Sequence, residues 1–182
     1  MKHFFSVICF FLFFTIANSQ DKYLTKNGTV TFFSKAPIED ITAENNQVLS
    51  IIDLSNGNMA ISILMKSFLF KKALMQEHFN ENYVESDKFP KATFKGEILN
   101  FKAINNTSEK FNVKGILTIH GESKEIIIEA LISKIQNEII VSGNFLVNLD
   151  NFKVKIPSVV SKNIAKNIKV SFDFNHKPFK TN

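Results

Sequence analysis

The stretch that decides the fold is Lys-Phe-Asn-Val-Lys-Gly-Ile-Leu-Thr-Ile-His at residues 110–120. From Phe111 to Ile119 every second position is apolar or glycine, and most positions between them are polar. Successive side chains of a β-strand point to opposite faces, so this period of two predicts a strand with one buried face. The same pattern recurs along most of the chain.

Further alternating segments and the turns between them predict an antiparallel barrel or sandwich. With a short strand near residues 23–25, they give about eight strands, at residues 29–35, 41–53, 59–66, 93–101, 110–120, 125–135, 137–149 and 168–175. Tight turns are expected between most of them. The strongest turn signal is Asn56-Gly57, because this pair readily takes the positive φ angles of a type I′ hairpin. This arrangement of strands and turns defines an all-β class.

Three segments depart from the alternation. Polar residues 44–47 predict a bulge or a bend inside a strand. Residues 71–80 predict a short helix, because their apolar side chains fall on one stripe, formed by Leu74, Met75, His78 and Phe79. Residues 157–166 predict a second helix, since Pro157 suits a helix start and apolar residues follow on one side: Val159, Val160 and Ile164.

The N-terminal segment has the order of a secretory signal peptide. A short positive region with Lys2 precedes the apolar residues 4–16, and Ala17-Asn18-Ser19 offers small residues before a cleavage site. The apolar run is short for a membrane span. We therefore expect residues 1–19 to be removed near Ser19-Gln20, leaving a soluble exported domain over residues 20–182.

Charge and cysteine content exclude several classes of protein. The formal net charge is +5, and all 22 basic residues are lysines scattered singly along the chain. A surface that reads nucleic acid normally uses arginine, so we expect no nucleic-acid partner, although weak contact with an anionic membrane surface is compatible with this charge. The one cysteine, Cys9, lies in the predicted signal peptide, so no disulfide scaffold is expected.

The residues that would carry catalysis or bind a metal are sparse. His78, His120 and His176 are the histidines after residue 19, and none lies at a metal-ligand spacing from another. No nucleophile elbow or phosphate loop occurs. We therefore expect no enzyme activity, no metal and no cofactor. His120 alternates outward beside a turn, which favours a surface position.

The inward faces of the predicted strands are rich in Phe, Ile, Val and Met, with glycines at positions 96, 115 and 143. A barrel of about eight strands either encloses one small ligand or is filled by its own side chains. The inward glycines are compatible with sharp strand coiling or with room for something inside. The pattern alone leaves both alternatives open: a greasy ligand in a hollow lumen, or a filled core whose outer face serves a structural or interaction role.

Two ordered motifs resemble the YceI-like family. The first lies in residues 75–96 and contains Met75, His78, Tyr83, Glu85-Ser86, Phe89-Pro90 and Phe94-x-Gly96. The second is Val113-x-Gly115-x-Leu117-Thr118-Ile119-His120-Gly121, followed by Lys124-Glu125, with Ser123 where Thr is usual. The closing segment around Ile156-Pro157 and Val170-x-Phe172 is also similar, so the resemblance covers most of residues 22–177.

The resemblance implies a lipocalin-like barrel in the periplasm that binds a long isoprenoid or another amphiphile, and it favours the hollow alternative. Combined with the strand pattern, it predicts that the ligand is lined by Phe32, Ile61, Ile63, Met65, Phe94, Ile98, Val113, Leu117, Val141, Phe145, Phe172 and Phe174. Leu74, Met75 and Phe79 are expected to cap one end as a lid. A headgroup is expected to meet His78 or Tyr83 at the mouth.

Overall fold

The computed structural model describes residues 21–35, 37, 39–157 and 164–179. In this part of the chain nine antiparallel strands form one sheet: β1 (Lys22–Ser34), β2 (Ile41–Asp53), β3 (Asn58–Leu64), β4 (Leu69–Phe70), β5 (Lys91–Ile98), β6 (Glu109–Ile119), β7 (Glu122–Ile135), β8 (Glu138–Asn148) and β9 (Asn167–Pro178). The order β1-β9-β8-β7-β6-β5-β3-β2 closes because β1 also pairs with β2, and β4 adds two residues to β2. The predicted eight-stranded antiparallel barrel is confirmed.

Alternate residues of these strands are buried, as the period of two in the sequence predicted. The irregularities of β1 and β2 lie at polar residues. β1 is continuous, although the sequence predicted two pieces with a gap before residue 29. The β1–β2 register shifts between Thr25 and Gly28 and again between Gly28 and Val30. Opposite the second shift lies the polar stretch 44–47, which is therefore a bulge, one of the two outcomes that the sequence predicted.

The turns differ from the predicted types. Between β2 and β3 the chain turns over four residues, and only Gly57, with φ of 77°, takes a positive φ angle at the Asn56-Gly57 pair. The predicted type I′ geometry is therefore wrong there. It occurs instead at His120-Gly121, where φ is 51° and 77° and where Ile119 and Glu122 are register partners.

The lower half of the barrel, which contains the β2–β3 and β7–β8 turns, is filled by side chains. Phe94, Phe172 and Phe174 are buried there. A Cβ added at Gly115 would lie 2.5 Å from Phe94 Cζ, and one added at Gly143 would lie 2.7 Å from Phe172 Cζ. The inward glycines therefore make room for the rings of this chain, because only a residue without a side chain permits so close an approach.

The upper half, at the opposite end, carries an irregular segment between β3 and β5 that we call the lid (residues 65–83). It consists of a 3₁₀ turn (Met65–Ser67), β4, a short helix α1 (Ala73–His78) and a wider π turn (Phe79–Tyr83). The predicted helix at 71–80 is present in part as α1. The second predicted helix, at 157–166, falls mostly on residues 158–163, which lie outside the described residues.

Candidate functional site

The upper half of the barrel encloses a cavity of about 370 Å³. Strands from both sides of the barrel, the lid and the segment after β8 all contribute to it. The lining residues are Val30, Phe32, Ser34, Glu39, Ile41, Ile63, Met65, Phe68, Phe70, Met75, His78, Phe79, Tyr83, Val84, Ala92, Leu117, Ile119, Phe145, Val147, Leu149, Phe152, Val154, Ile156, Ile164, Ile168 and Val170. Its volume lies within the range of small-molecule sites, and its lining is predominantly apolar.

Four phenylalanine rings hold the lid against the barrel. Phe79 lies 5.4 Å from Phe32, 5.7 Å from Phe68 and 5.1 Å from Phe70, measured between ring centroids. Phe32 also contacts Phe68 and Phe70. Aromatic pairs at such separations stabilise a structure beyond the area that they bury. This cluster therefore attaches the lid to β1.

Polar groups lie at one side of the cavity. Glu39 and His78 are exposed and also line it, so the cavity reaches the surface between the β1–β2 connection and the lid. Glu39 forms an ion pair with Lys72. Tyr83 is half-buried, and removal from water raises the pKa of its hydroxyl. The site is therefore an apolar chamber with a polar mouth, suited to an amphiphile rather than to a polar molecule.

Nine of the residues predicted to contact a ligand line this cavity. They come from four strands and from the lid: Phe32, Ile63, Met65, Met75, His78, Phe79, Tyr83, Leu117 and Phe145. Of the three residues expected to cap one end, Met75 and Phe79 line the cavity from α1 and the π turn. The structure thus brings together residues that lie more than a hundred positions apart in the chain.

Eight other predicted residues are placed elsewhere. Leu74 is 61% exposed and points away from the chamber, because α1 presents Met75 and His78 to it instead. The remaining seven do not line the cavity: Ile61, Phe94, Ile98, Val113, Val141, Phe172 and Phe174. These seven face the interior at or below the level of the cavity floor. Alternation identifies the inward face of a strand, but it does not tell at which height along the barrel each residue lies.

Several residues that line the cavity were not predicted from the sequence to contact a ligand. Phe68 and Phe70 lie in the short irregular part of the lid, where no periodic pattern exists. Leu149 and Phe152 lie in a 3₁₀ turn (Leu149–Phe152) that follows β8, and Val154 and Ile156 lie in the irregular segment after it. Ile119 and Val147 lie on predicted inward faces near the strand ends beside the lid. This combination of inward direction and position would have identified them as lining residues.

The two motifs that resemble the YceI-like family contact each other. His120 Nε2 lies 2.6 Å from Glu85 Oε2, and Nδ1 lies 3.3 Å from the carbonyl oxygen of Phe152. The ring also packs edge-on against Phe89, at 4.6 Å between centroids. The hydrogen bond with His120 is the main reason why the pKa of Glu85 lies below its usual range. The predicted surface position of His120 is wrong: its side chain is 12% exposed and lies against Glu85, Phe89 and Phe152.

A third histidine lies in the packed half and outside the cavity. His176 is fully buried, with Nδ1 3.1 Å from the carbonyl oxygen of Ile139 and Nε2 2.8 Å from Ser50 Oγ. Burial lowers its pKa to about 4. The carbonyl must accept, so Nδ1 carries the proton and Nε2 accepts from the serine hydroxyl. The neutral ring is therefore a packed part of the core, with both of its nitrogen atoms hydrogen-bonded.

Two other kinds of feature are absent from residues 21–35, 37, 39–157 and 164–179, namely a metal-binding cluster and a membrane-spanning helix. No three His, Cys, Asp or Glu side chains of these residues are grouped so that they would hold a metal ion. Among the same residues no helix has the length and apolar content needed to cross a bilayer. The cavity is therefore the feature of the described molecule with the clearest binding geometry.

A closed eight-stranded antiparallel barrel with an apolar chamber in one half has the architecture of barrels that enclose one small ligand. The YceI-like domain family matches residues 22–176, and the chain belongs to this family. None of the curated protein sequences compared with it matches.

Solved structures of the same fold include proteins from three bacteria. A polyisoprenoid binding domain from Saccharophagus degradans implicated in plant cell wall breakdown superposes with a TM-score of 0.75 at 14% identity, covering 87% of this chain and 99% of that one. BcnA of Burkholderia cenocepacia gives 0.70 at 17% identity, covering 81% and 95%. The YceI protein of Campylobacter jejuni gives 0.57 at 21% identity, covering 79% and 89%.

Proposed function

We propose that this protein is an exported, non-enzymatic carrier that holds one long-chain amphiphile, an isoprenoid or a fatty-acyl lipid, in the upper cavity. The observation that carries the proposal is the chamber of about 370 Å³, whose lining is predominantly apolar and whose mouth has exposed polar groups. Removal of apolar ligand surface from water would drive binding, at about 25 cal/mol per Å² before ordering costs. The structural likeness to a domain named as polyisoprenoid binding supports the choice of ligand class.

The mouth is suited to a headgroup. His78 is exposed at the chamber's edge, Tyr83 lies on the same lid, and Lys72 of the lid forms an ion pair with Glu39 of the β1–β2 connection. These groups offer hydrogen bonds and charges of both signs to a hydroxyl, carboxylate or phosphate headgroup. The apolar tail would then extend toward Leu117 and Phe145.

Matched alanine-to-phenylalanine substitutions test the cavity directly. Ala92 lines the chamber, whereas Ala130 lies in the packed half, paired with Gly143, and both are buried. Ala92→Phe should retain the melting temperature and weaken binding of a fluorescent polyprenyl or fatty-acyl probe at least tenfold. Ala130→Phe should lower the melting temperature by overpacking. Saturable probe binding that Ala92→Phe leaves unchanged would contradict the proposed site.

Two further measurements address ligand identity and export. The protein purified without added lipid is extracted with organic solvent, and the extract is analysed by mass spectrometry. An apolar chain of isoprenoid or acyl type is expected, and an empty extract together with no saturable probe uptake would refute the carrier role.

Expression of the full sequence should yield a periplasmic form whose mass corresponds to a chain beginning at Gln20; a cytosolic full-length chain would refute export.

A further inference from the structure

The strands β7 and β8 are hydrogen-bonded along only part of their length. Their register runs from Ala130 with Gly143 to Ile135 with Glu138. β7 nevertheless begins at Glu122, and β8 ends at Asn148. Residues 122–129 pair only with β6, and residues 144–148 pair only with β9. At about 3.3 Å per residue, the wall is open between these segments over about 16 Å.

A second cavity of about 210 Å³ lies in this opening. Leu117, Phe145, Val147 and Phe152 line both this cavity and the main chamber. A single layer of side chains therefore separates the chamber from the outside at this seam. The outer rim contains polar side chains, among them that of Lys124, which is exposed. The opening thus changes from apolar to polar toward the solvent, as the main mouth does.

The barrel has another interrupted seam, and that one is closed. β2 and β3 pair only from Leu49 with Ser62 to Asp53 with Asn58. Above these pairs, β4 of the lid hydrogen-bonds to β2, and buried Asn45 donates to the carbonyl oxygen of Leu64 at 2.9 Å. At the β7–β8 seam the 3₁₀ turn Leu149–Phe152 packs against β7 at the upper end, but no strand of the described residues pairs with 122–129 or 144–148 across the seam. It is framed by the Ala130–Gly143 pair below and by the Lys153–Glu122 ion pair, at 2.7 Å, above.

We propose that this opening, the side window between residues 122–129 and 144–148, is the route by which the apolar chain of the ligand enters and leaves the chamber, with the ring of Phe145 as its gate. The inference rests on the proposed function. Phe145 is half-buried, and its ring contact among the described residues is with Phe172 at 6.3 Å, whereas Phe79 contacts three rings within 5.7 Å. Displacing Phe145 therefore costs fewer contacts than lifting the lid.

The outer surface beside the side window supports this route. Ile127 on β7 and Leu146 on β8 are 61% and 69% exposed. Large apolar side chains on both sides of one opening give a passing hydrocarbon chain a surface on which part of its area stays out of water. The polar main mouth would keep the headgroup while the tail moves through the wall.

A covalent bridge across the side window tests the route. Ile127→Cys and Leu146→Cys are combined in the chain without residues 1–19, which then has no other cysteine, and the two thiols are joined by the shortest bis-maleimide that reacts with both. The control bridges Lys110→Cys to Leu131→Cys, register partners on the outside of the fully paired β6–β7 seam. Uptake and release of a fluorescent farnesyl probe are followed by stopped flow.

A bridge over the side window should slow uptake and release tenfold or more and leave Kd unchanged, because a route affects both rates equally. The control bridge should leave both rates as they are in the unmodified protein. Phe145→Ala should raise both rates in the unbridged chain. Unchanged rates in the bridged window would overturn the side window while leaving the carrier role intact. Absence of probe binding in the unmodified protein would overturn the carrier role and the side window together.

Discussion

Lowering the pH from 7 to 5 should destabilise the barrel through the buried His176. In the folded protein the ring is neutral, with both nitrogens used by Ile139 and Ser50, and its pKa is about 4 instead of the usual 6.5. A folded pKa below the unfolded one means that the stabilisation is complete above pH 6.5 and is lost as the pH falls toward 4. At about 1.4 kcal/mol per pH unit, the total amounts to about 3 kcal/mol, of which about 2 kcal/mol is lost by pH 5.

Urea unfolding followed by circular dichroism at pH 7, 6 and 5 measures this loss. The variant His176→Leu lacks the titrating ring, so its free energy of unfolding should be lower at pH 7 but should change much less between pH 7 and 5. His78→Gln is the matched control, because His78 is exposed and its removal should leave the pH dependence of the parent chain. Carboxylates with lowered pKa values, such as Glu85 and Glu122, change the stability mainly below pH 5. The range from pH 7 to 5 therefore keeps their contribution small.

The result that would refute this reasoning is an equal loss of stability in the parent chain and in His176→Leu between pH 7 and 5. Such a result would mean that the ring is protonated in the folded barrel at pH 5 without cost. The pH dependence would then come from other groups, and the buried contact with the Ile139 carbonyl would have to persist with a charged imidazolium.

Three further substitutions test separate parts of the fold by the free energy of unfolding. Gly115→Ala should cost about 1–3 kcal/mol, because the added Cβ would lie 2.5 Å from both Phe94 Cζ and the Lys95 carbonyl oxygen; a neutral effect would contradict the close packing of that ring. Asn45→Ala should cost about 1–3 kcal/mol by removing the buried bond to Leu64, whereas exposed Asn46→Ala should cost far less, and equal losses would argue against the bond. Phe79→Ala should cost about 2–3 kcal/mol by removing three ring contacts, and a loss below 0.5 kcal/mol would contradict the role of the cluster in holding the lid.

Alternation along the strands made the barrel predictable, because a period of two depends on nothing but which face is buried. The same rule predicted the inward direction of Phe94, Phe172 and Phe174 but not their role. Their rings pack directly against inward-facing glycines. In the packed half, an inward glycine therefore indicates a position where a neighbouring ring fills the space that a side chain would occupy. Whether an inward side chain lines a chamber or fills it depends on its height in the barrel, which a local pattern does not contain.

The irregular segments were less predictable for a different reason. The side chain of His120 departs from the strand alternation because the residue lies in a turn, with φ of 51°. The position of this turn is set by the pairing of Ile119 with Glu122, which the local sequence pattern does not specify. Phe68 reaches the chamber from the position just after a 3₁₀ turn and Phe70 from a two-residue strand, and these elements are too short to have a period. Long-range contacts of the lid, rather than local propensity, position them.

The three phenylalanines beneath the chamber fix the depth to which a ligand can reach. Phe172 is the next inward residue on β9 below Val170, which lines the cavity, and Phe94 is the next on β5 below Ala92. The strands continue well below them, so the barrel has more height than its chamber uses. For the proposed ligand, the maximum tail length would therefore depend on a few ring positions and not on the number or length of the strands. In the proposed carrier, selectivity for chain length and stability of the core would consequently be coupled, since the same rings would determine both.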